Sequence, residues 1–303
     1  MKLNISQGML FAIIAAILSG FSIFYNKLVI VKGVDPLIFN ILKNGGVAIL
    51  LTLVLLTRNK LPTLRKISRN QWLKLIAIAC IGGCIPFILY FDALKNVSAI
   101  NANLLQKTLF IWVALLAMPF LKERLTSLQM IGYTIIAGSN LFIGGFEGFK
   151  WSQSELMILV ATLFWSVEHI IAKKTLQDTE FTIVSWARMF IGTGLLIMFA
   201  LVQGKISLIG TVTQTQFLAI AGSIIFLTFY VTSWYKALSL AKASTVTSIL
   251  ILATPITNVL SSVFITHTFQ SQLLVNMIGT MFGLIVIHAL SKFVQPQKNI
   301  ETT

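Results

Sequence analysis

Charge is scarce in this sequence, and negative charge scarcest of all. Charged residues fill 11% of the 303 positions, where an ordinary soluble domain carries about 25%. Asp and Glu number nine against 23 Lys and Arg. There are only two cysteines, Cys80 and Cys84, and three histidines. Two thiols at i, i+4 share a helix face but fall short of the four ligands of a structural zinc. They sit beside Gly82 and Gly83 in an apolar run, where small residues let membrane helices pack closely. No disulfide framework, metal or other cofactor is expected. Three missing motifs narrow the function further. No Gly-x-x-x-x-Gly-Lys-Ser/Thr segment offers a P-loop for ATP, and neither His-Glu-x-x-His nor Gly-x-Ser-x-Gly occurs, so an intramembrane enzyme is not expected. No repeated filter-like loop or ring of acids suggests a channel.

What is present is apolar sequence in long blocks. Hydrophobic residues are 56% of the chain, the mean hydropathy is +0.88, and runs such as Gly8–Tyr25 and Ile183–Val202 hold few charges. About 18–20 apolar residues cross the roughly 30 Å hydrocarbon core of a bilayer. The blocks predict ten transmembrane helices: Gly8–Asn26, Pro36–Thr57, Leu73–Tyr90, Ala99–Phe120, Leu128–Gly145, Ser154–Ala172, Thr182–Val202, Gln214–Trp234, Thr245–Ile265 and Leu273–Leu290. The first has no small-x-small cleavage site after it and reads as a retained helix, not a signal peptide. The widest gap, Arg58–Trp72, is too short for a soluble domain.

Net charge +14 would suit a nucleic-acid partner, but the basic residues are scattered over short loops, so none is expected. With the N-terminus on one side, that side collects Lys2, Arg58, Lys60, Arg65, Lys66, Arg69, Lys74, Lys122, Arg124, Lys173, Lys174, Lys236, Lys242, Lys292 and Lys298. The other side collects Lys27, Lys32, Lys95, Lys150 and Lys205. The positive-inside rule makes the richer side cytoplasmic. A multi-pass protein of the cell (inner) membrane with both termini in the cytoplasm is expected.

The chain also repeats itself. Tyr90-Phe91-Asp92-Ala93-Leu94 matches Trp234-Tyr235-Lys236-Ala237-Leu238, Met130-Ile131-Gly132 matches Met277-Ile278-Gly279, and Lys43 matches Arg188, all at an offset near 145. Each copy holds five helices, so the second must run through the membrane in the opposite sense. The expected fold is all-α, integral to the membrane, with ten transmembrane helices in two inverted five-helix repeats, 1–150 and 151–303. In secondary transporters of this kind the solute site lies near the midplane between repeats.

These features resemble the EamA-type transporters of the drug/metabolite transporter superfamily. The resemblance covers essentially the whole chain and is carried by the paired five-helix repeats, the Lys122-Glu123-Arg124-Leu125 turn, Lys43 and Arg188 in the second helix of each copy, and Pro255 in the ninth helix. The second copy departs from it with His267-Thr268-Phe269 opposite Glu123-Arg124-Leu125, and the first has Ile111 opposite Pro255. The resemblance implies a central cavity lined by helices one to four and six to nine, with the fifth and tenth peripheral.

A charge at a helix centre in a bilayer costs about 2.5–3.5 kcal/mol on insertion scales, so such residues mark function. Four lie deep inside predicted helices, Glu155 standing only at a helix mouth: Lys43, Lys107, Glu168 and Arg188. Asn103, Gln106 and Lys107 share a face at i, i+3, i+4, continued by Phe110 and Ala114; Thr247, Ile251, Thr254, Asn258 and Ser261 form the matching stripe of the ninth helix. Both stripes are expected to face a cavity or to bond helix to helix. Glu168, beside His169 and Trp165, is either a proton carrier or the ion-pair partner of Arg188. Lys43 either faces the site or snorkels to headgroups. Arg188, with Ser185 and Trp186 nearby, suits bidentate binding of a carboxylate. Substrate binding is therefore expected from Lys107, Arg188, Lys43, Asn103, Gln106, Trp165, Trp186 and Asn258, and proton coupling from Glu168 and His169, with Tyr230 and Phe110 as further stacking surfaces. Asp92, His288 and the solvated turn Lys122–Arg124 are expected to be structural. Three cations against one carboxylate favour an anionic solute. A small polar metabolite of the amino-acid or organic-acid class, moved by alternating access and exported, is the leading expectation. A proton-coupled drug or lipophilic-cation carrier, and a membrane scaffold, are the alternatives.

Overall fold

The computed structural model describes residues 6–93, 96–97, 99–141, 148–268 and 271–290, and every regular element among them is helical. In chain order the main helices are α1 (Gln7–Ile30), α2 (Pro36–Thr57), α3 (Arg69–Tyr90), α4 (Asn101–Leu121), α5 (Ser127–Leu141), α6 (Gln153–Thr175), α7 (Phe181–Val202), α8 (Gln214–Leu240), α9 (Ala243–Ile265) and α10 (Ser271–His288). Among the described residues, the nine other than α5 are long and apolar enough to span a bilayer. The predicted end of the fifth segment at Gly145 lies outside the described residues, as do Lys2, Lys95, Lys292 and Lys298 of the charge count and Leu94 and Phe269 of the repeat motifs.

Local sequence sets the helix ends. Ser6 and Ser152 cap α1 and α6, accepting from the Met9 and Glu155 N–H groups at 3.4 and 3.2 Å. Asp35 caps α2 through Leu37 N–H at 2.8 Å, with Pro36 in the first turn where its missing N–H costs nothing. Capping boxes start α3 (Ser68, Gln71) and α8 (Thr213, Gln216). Outward faces are apolar: Met198, Phe217 and Ile278 are all more than half exposed. Bare apolar surface around helices whose backbone bonds are satisfied internally is what lipid requires.

The repeat reaches individual residues. Lys60 pairs with Glu180 on one face; Lys205 pairs with Asp35 at 3.5 Å on the other. Lys60 and Lys205, and Asp35 and Glu180, are each 145 apart, so one ion pair occurs twice on opposite sides. The two capping boxes keep the same offset, as do the left-handed residues Asn59 (φ 51°) and Gly204 (φ 67°) that end the turns after α2 and α7. Packing obeys the same exchange: α1 lies against α8 and α9 as α6 lies against α3 and α4, while α2 meets α7 and α5 meets α10. Burial would raise the Glu180 carboxyl, yet its bonds to Lys60 and Thr182, with Lys60 and Arg58 charges close by, hold it below the usual carboxylate range. The Lys60 tie is thus complete at neutral pH and is lost only as pH falls through that lowered value.

Helices α4 and α9 are interrupted at matching depth. In α4 the Thr108 N–H and hydroxyl both turn back to the Leu105 carbonyl (3.1 and 2.6 Å), splitting the helix after Lys107. In α9, Pro255 has no N–H to give, and three-residue turns at Ile251 and Leu252 separate the halves. A π turn over Ser262–Thr266 then adds one residue to the second copy. The left-handed residues Lys122 and His267 close α4 and α9 as equivalents, which sets Thr268 opposite Glu123, one residue away from the pairing the sequence suggests.

Glu123 corrects an expectation. It does not lie in a solvated turn: it is 8% exposed and crosses between repeats to cap α9. Its carboxylate accepts the Ala243 and Ser244 N–H groups at 2.7 and 3.2 Å and the Ser244 hydroxyl. An anion on unsatisfied N–H groups at a helix N-terminus is favourable. Beside it, Lys173 donates to the Leu238 and Ala241 carbonyls at 2.6 and 2.7 Å, and Gly8 packs so tightly that a Cβ would sit 2.7 Å from that of Ala241. The two repeats are thus sewn together on the face that holds most of the lysines and arginines. Removing the carboxylate in Glu123→Ala leaves buried donors unsatisfied, at a cost of about 1–3 kcal/mol; the melting temperature in detergent is expected to fall, with Glu123→Gln intermediate. Equal melting of all three proteins would show that the cap carries no such weight.

Candidate functional site

A cavity of about 360 Å³ opens between the repeats, within the roughly 300–1,000 Å³ typical of small-molecule sites. Residues of α1, α2, α3, α4, α6, α7, α8 and α9 line it, and among the described residues none from α5 or α10 does. Its upper wall carries Asn26, Phe39, Asn40, Tyr90 and Asn103, in the parts of α1 to α4 nearest the face of the Asp35–Lys205 pair. Its floor carries Thr247, His169 and Arg188, about four to seven residues in from the basic-face ends of α9, α6 and α7. Below the floor come Glu123, Lys173 and the cluster built on Leu51, Ile78, Val113 and Trp234. The lining therefore reaches toward the face away from the basic residues, and packed side chains lie between its floor and the basic face.

Seven of the eight expected cavity or coupling residues with a side chain near mid-depth meet here: Lys43, Asn103, Gln106, Lys107, Trp165, His169 and Arg188 line the cavity. Glu168 is the eighth, and it lies behind the wall with no exposed surface. Phe110, Tyr230, Thr247, Ile251 and Thr254 also line it, so both helix stripes turn inward. Two expected residues do not join. Trp186 stacks on Phe190 with ring centroids 5.1 Å apart and donates its indole N–H to Thr52 at 2.9 Å, bracing α7 on α2. Asn258 sits further along α9, outside the lining.

Glu168 and Arg188 face each other across Gly82. A Cβ on Gly82 would fall 2.4 Å from Glu168 Cγ and 3.2 Å from Arg188 Nε. Only glycine lets α3 enter this space. The Gly82 carbonyl accepts from Arg188 Nη2 at 3.1 Å and from the Trp165 indole at 3.2 Å. One residue further, Gly83 meets Gly192 of α7 with a Cβ-to-Cα gap of 3.2 Å, so the small residues do serve close packing. Glu168 Oε1 accepts from the Tyr235 hydroxyl at 2.6 Å. Its Oε2 has no hydrogen bond, although His169 Nδ1 is 3.0 Å away, because Nδ1 gives its proton to the Trp165 carbonyl at 2.5 Å. Arg188 Nε and Lys107 Nζ are likewise buried without partners. Lys43 does not reach for headgroups: it is 8% exposed, with its ammonium 4.6 Å from the centroid of Phe39.

Sequence reasoning missed Tyr235, Gly82, Asn26 and Tyr90 as parts of this site. Gly82 carried a usable signal, a glycine pair inside a span, but nothing in one sequence tells which helix approaches it. Tyr235 and Tyr90 stood out only as markers of the repeat. Outside the site, Asn101 donates to Glu155 at 2.6 Å and His288 meets the Ser248 hydroxyl at 3.1 Å, both helix-to-helix contacts. Among the described residues no cluster of His, Cys, Asp and Glu could hold a metal.

Comparison with known proteins agrees with this architecture. A solved structure described only as "Crystal structure of protein" superimposes with a TM-score of 0.81 over 95% of this chain and 99% of that one, at 15% identity, which is a likeness of fold. An uncharacterized transporter of Archaeoglobus fulgidus is 28% identical over 60% of this chain and 64% of its own length. One from Methanothermobacter thermautotrophicus is 21% identical over 46% of this chain and 42% of its own. The chain thus matches less than two thirds of the length of these curated relatives. The EamA-like transporter family model matches twice, over residues 6–145 and 153–289, five helices each time. The chain belongs to the EamA-like transporter family.

Proposed function

We propose that the chain is a secondary carrier for a small anionic metabolite of the amino-acid or organic-acid class. The observation that carries this reading is the make-up of the cavity wall: Lys43, Lys107 and Arg188 line it, and among the described residues no Asp or Glu does. In a low-dielectric space, attraction between unlike charges is several times stronger than in water. An anion entering here gains partners that the protein itself does not give Lys107 Nζ or Arg188 Nε. A lipophilic cation would meet the opposite balance. Trp165, Tyr230 and Phe110 supply stacking faces for the apolar part of the solute, and the amides of Asn103 and Gln106 supply hydrogen bonds. This is the chemistry of a binding site: among the described lining residues no hydroxyl is hydrogen-bonded to His169, and we take the chain to be no enzyme.

Transport is proposed to follow alternating access, with the halves 1–150 and 151–303 rocking about the cavity. The present arrangement is the one open away from the basic face, and the Glu123 cap and Lys173 bonds are what would part in the other. With the basic face cytoplasmic, both ends of this chain lie in the cytoplasm, the cavity looks outward, and export would release solute from this state. Protons are proposed as the driving ion. His169 lines the cavity and sits 3.0 Å from the unbonded oxygen of Glu168, so its ring can pass a proton from the cavity to a carboxylate that water does not reach.

Three outcomes test this. Cysteines placed at Lys60 and Lys205 should react with impermeant maleimide from opposite sides, Lys205→Cys from outside the cell; labelling from one side would end the inverted arrangement. Lys107→Ala and Arg188→Ala should insert normally yet lower counterflow into proteoliposomes at least tenfold, the size of about 1.4 kcal/mol. Unaltered flux in either variant removes that residue from the site. Glu168→Gln should lose proton-driven net flux while keeping solute exchange; equal loss of both would assign Glu168 to structure, not to coupling.

A further inference from the structure

The repeat sharpens the solute class, because it shows where a charge has lost its partner. Arg188 and Lys43 occupy equivalent places, seven residues into α7 and α2 and 145 apart. Arg188 has Glu168 across Gly82, and Tyr235 is tied to that carboxylate at 2.6 Å. The position on α1 that corresponds to Glu168 follows from the capping serines Ser6 and Ser152, 146 apart. The same offset carries the buried positions Ala12, Ala15, Ala16 and Ser22 of α1 onto Ile158, Ala161, Thr162 and Glu168 of α6. Ser22 therefore stands where Lys43 would need a carboxylate, and its hydroxyl is already engaged with the Asn26 amide. Lys107 is equally alone. It has no partner within the protein, and its equivalent on α9 in the 144 offset that aligns Ile111 with Pro255 is apolar Ile251. Among the described residues one carboxylate, Glu168, stands near these three cations, and the one it faces across Gly82 is Arg188.

We infer that the solute is a dianion, either a dicarboxylate or a phosphomonoester, and that Lys43 and Lys107 hold it. The inference rests on the carrier reading above and goes beyond it in two ways. It fixes the solute charge at two, and it assigns the recognition of that charge to the first repeat, while Arg188, its charge offset by Glu168 across Gly82, is left as an N–H donor in the floor. Each lysine has amide company suited to carboxylate or phosphate oxygens: Asn40 and Asn44 beside Lys43, Asn103 and Gln106 beside Lys107, all lining the cavity. Burying two unmatched ammonium groups is costly unless a counter-charge joins them. A dianion satisfies both at once, and a monoanion leaves one of them bare.

The test is counterflow in proteoliposomes of the full chain with four radiolabelled probes: succinate, glycerol phosphate, succinamate and tetraphenylphosphonium. Succinamate keeps the length of succinate with one charge removed. Succinate or glycerol phosphate should be taken up at least about tenfold faster than succinamate, the ordinary worth of one charge-assisted contact. Which of the two dianions prevails tells carboxylate from phosphate. Lys43→Gln and Lys107→Gln should each erase that preference, and Ser22→Glu, which gives Lys43 an internal partner, should do the same. Thermal stabilisation of the wild-type protein by the dianions but not by succinamate gives a second reading that needs no variant. Succinamate moving as well as succinate would overturn the dianion while leaving an anion carrier standing. Uptake of tetraphenylphosphonium alone would overturn both.

Discussion

An ammonium or guanidinium at mid-depth in a bilayer has to be paired, hydrated or discharged, and the arrangement of this protein follows from how each buried charge meets that demand. Glu123 is matched by backbone N–H groups at the start of α9. Glu168 is matched by Tyr235 and faces Arg188. Lys43 and Lys107 are left to a cavity that water or solute can enter. The cavity is thus a structural requirement before it is a functional one, because without it two lysines would sit in hydrocarbon. The interruptions of α4 and α9 belong to the same economy. Irregular backbone is tolerated at this depth only where it is covered by protein or lines such a space, and Lys107 and Thr254 at the two breaks do line it.

Two copies of one fold have been kept alike where they carry structure and allowed to differ where they carry chemistry. The ion pairs Lys60–Glu180 and Lys205–Asp35, the capping boxes and the left-handed turn residues are duplicated almost residue for residue. These fix loop lengths and helix ends, which must match if one half is to pack on the other in either orientation. By contrast Glu168 corresponds to Ser22, Lys107 to Ile251 and Glu123 to Thr268 in the other copy. Solute recognition does not require the two copies to present the same side chain, so these positions are free to differ.

The fold was largely legible because its signals are long-range averages. Twenty apolar residues in a row, an offset near 145 and a lopsided count of loop lysines survive errors of a few positions. The site was legible only in part, and the reason differs by residue. Lys107 and Arg188 announce themselves by cost, since charge in a span needs a use. Trp186 misled because a residue two positions before Arg188 points about 160° away around the helix, where it braces α2 instead of the cavity. Asn258 misled because a stripe of small polar residues continues past the end of the cavity it lines. Glu123 was hidden for another reason. A turn rich in Lys, Glu and Arg looks solvated until the start of α9 is brought beside it, and that contact spans 120 residues.

The duplicated scaffold raises a question of balance. If the two halves were identical, the states open to either face would differ only through the membrane and the solute, and would be nearly equal in energy. Glu123 breaks that degeneracy. On the basic face a carboxylate holds two backbone N–H groups and a hydroxyl of the other repeat; at its equivalent on the opposite face stands Thr268, which carries no charge. A charge-assisted cap exceeds a hydroxyl cap by an amount on the order of 1 kcal/mol. A difference of about 1.4 kcal/mol already shifts a two-state population tenfold. On the proposed alternating-access reading, the cap on the basic face therefore favours the arrangement seen here, and a transported solute would have to supply the binding energy that separates Glu123 from α9.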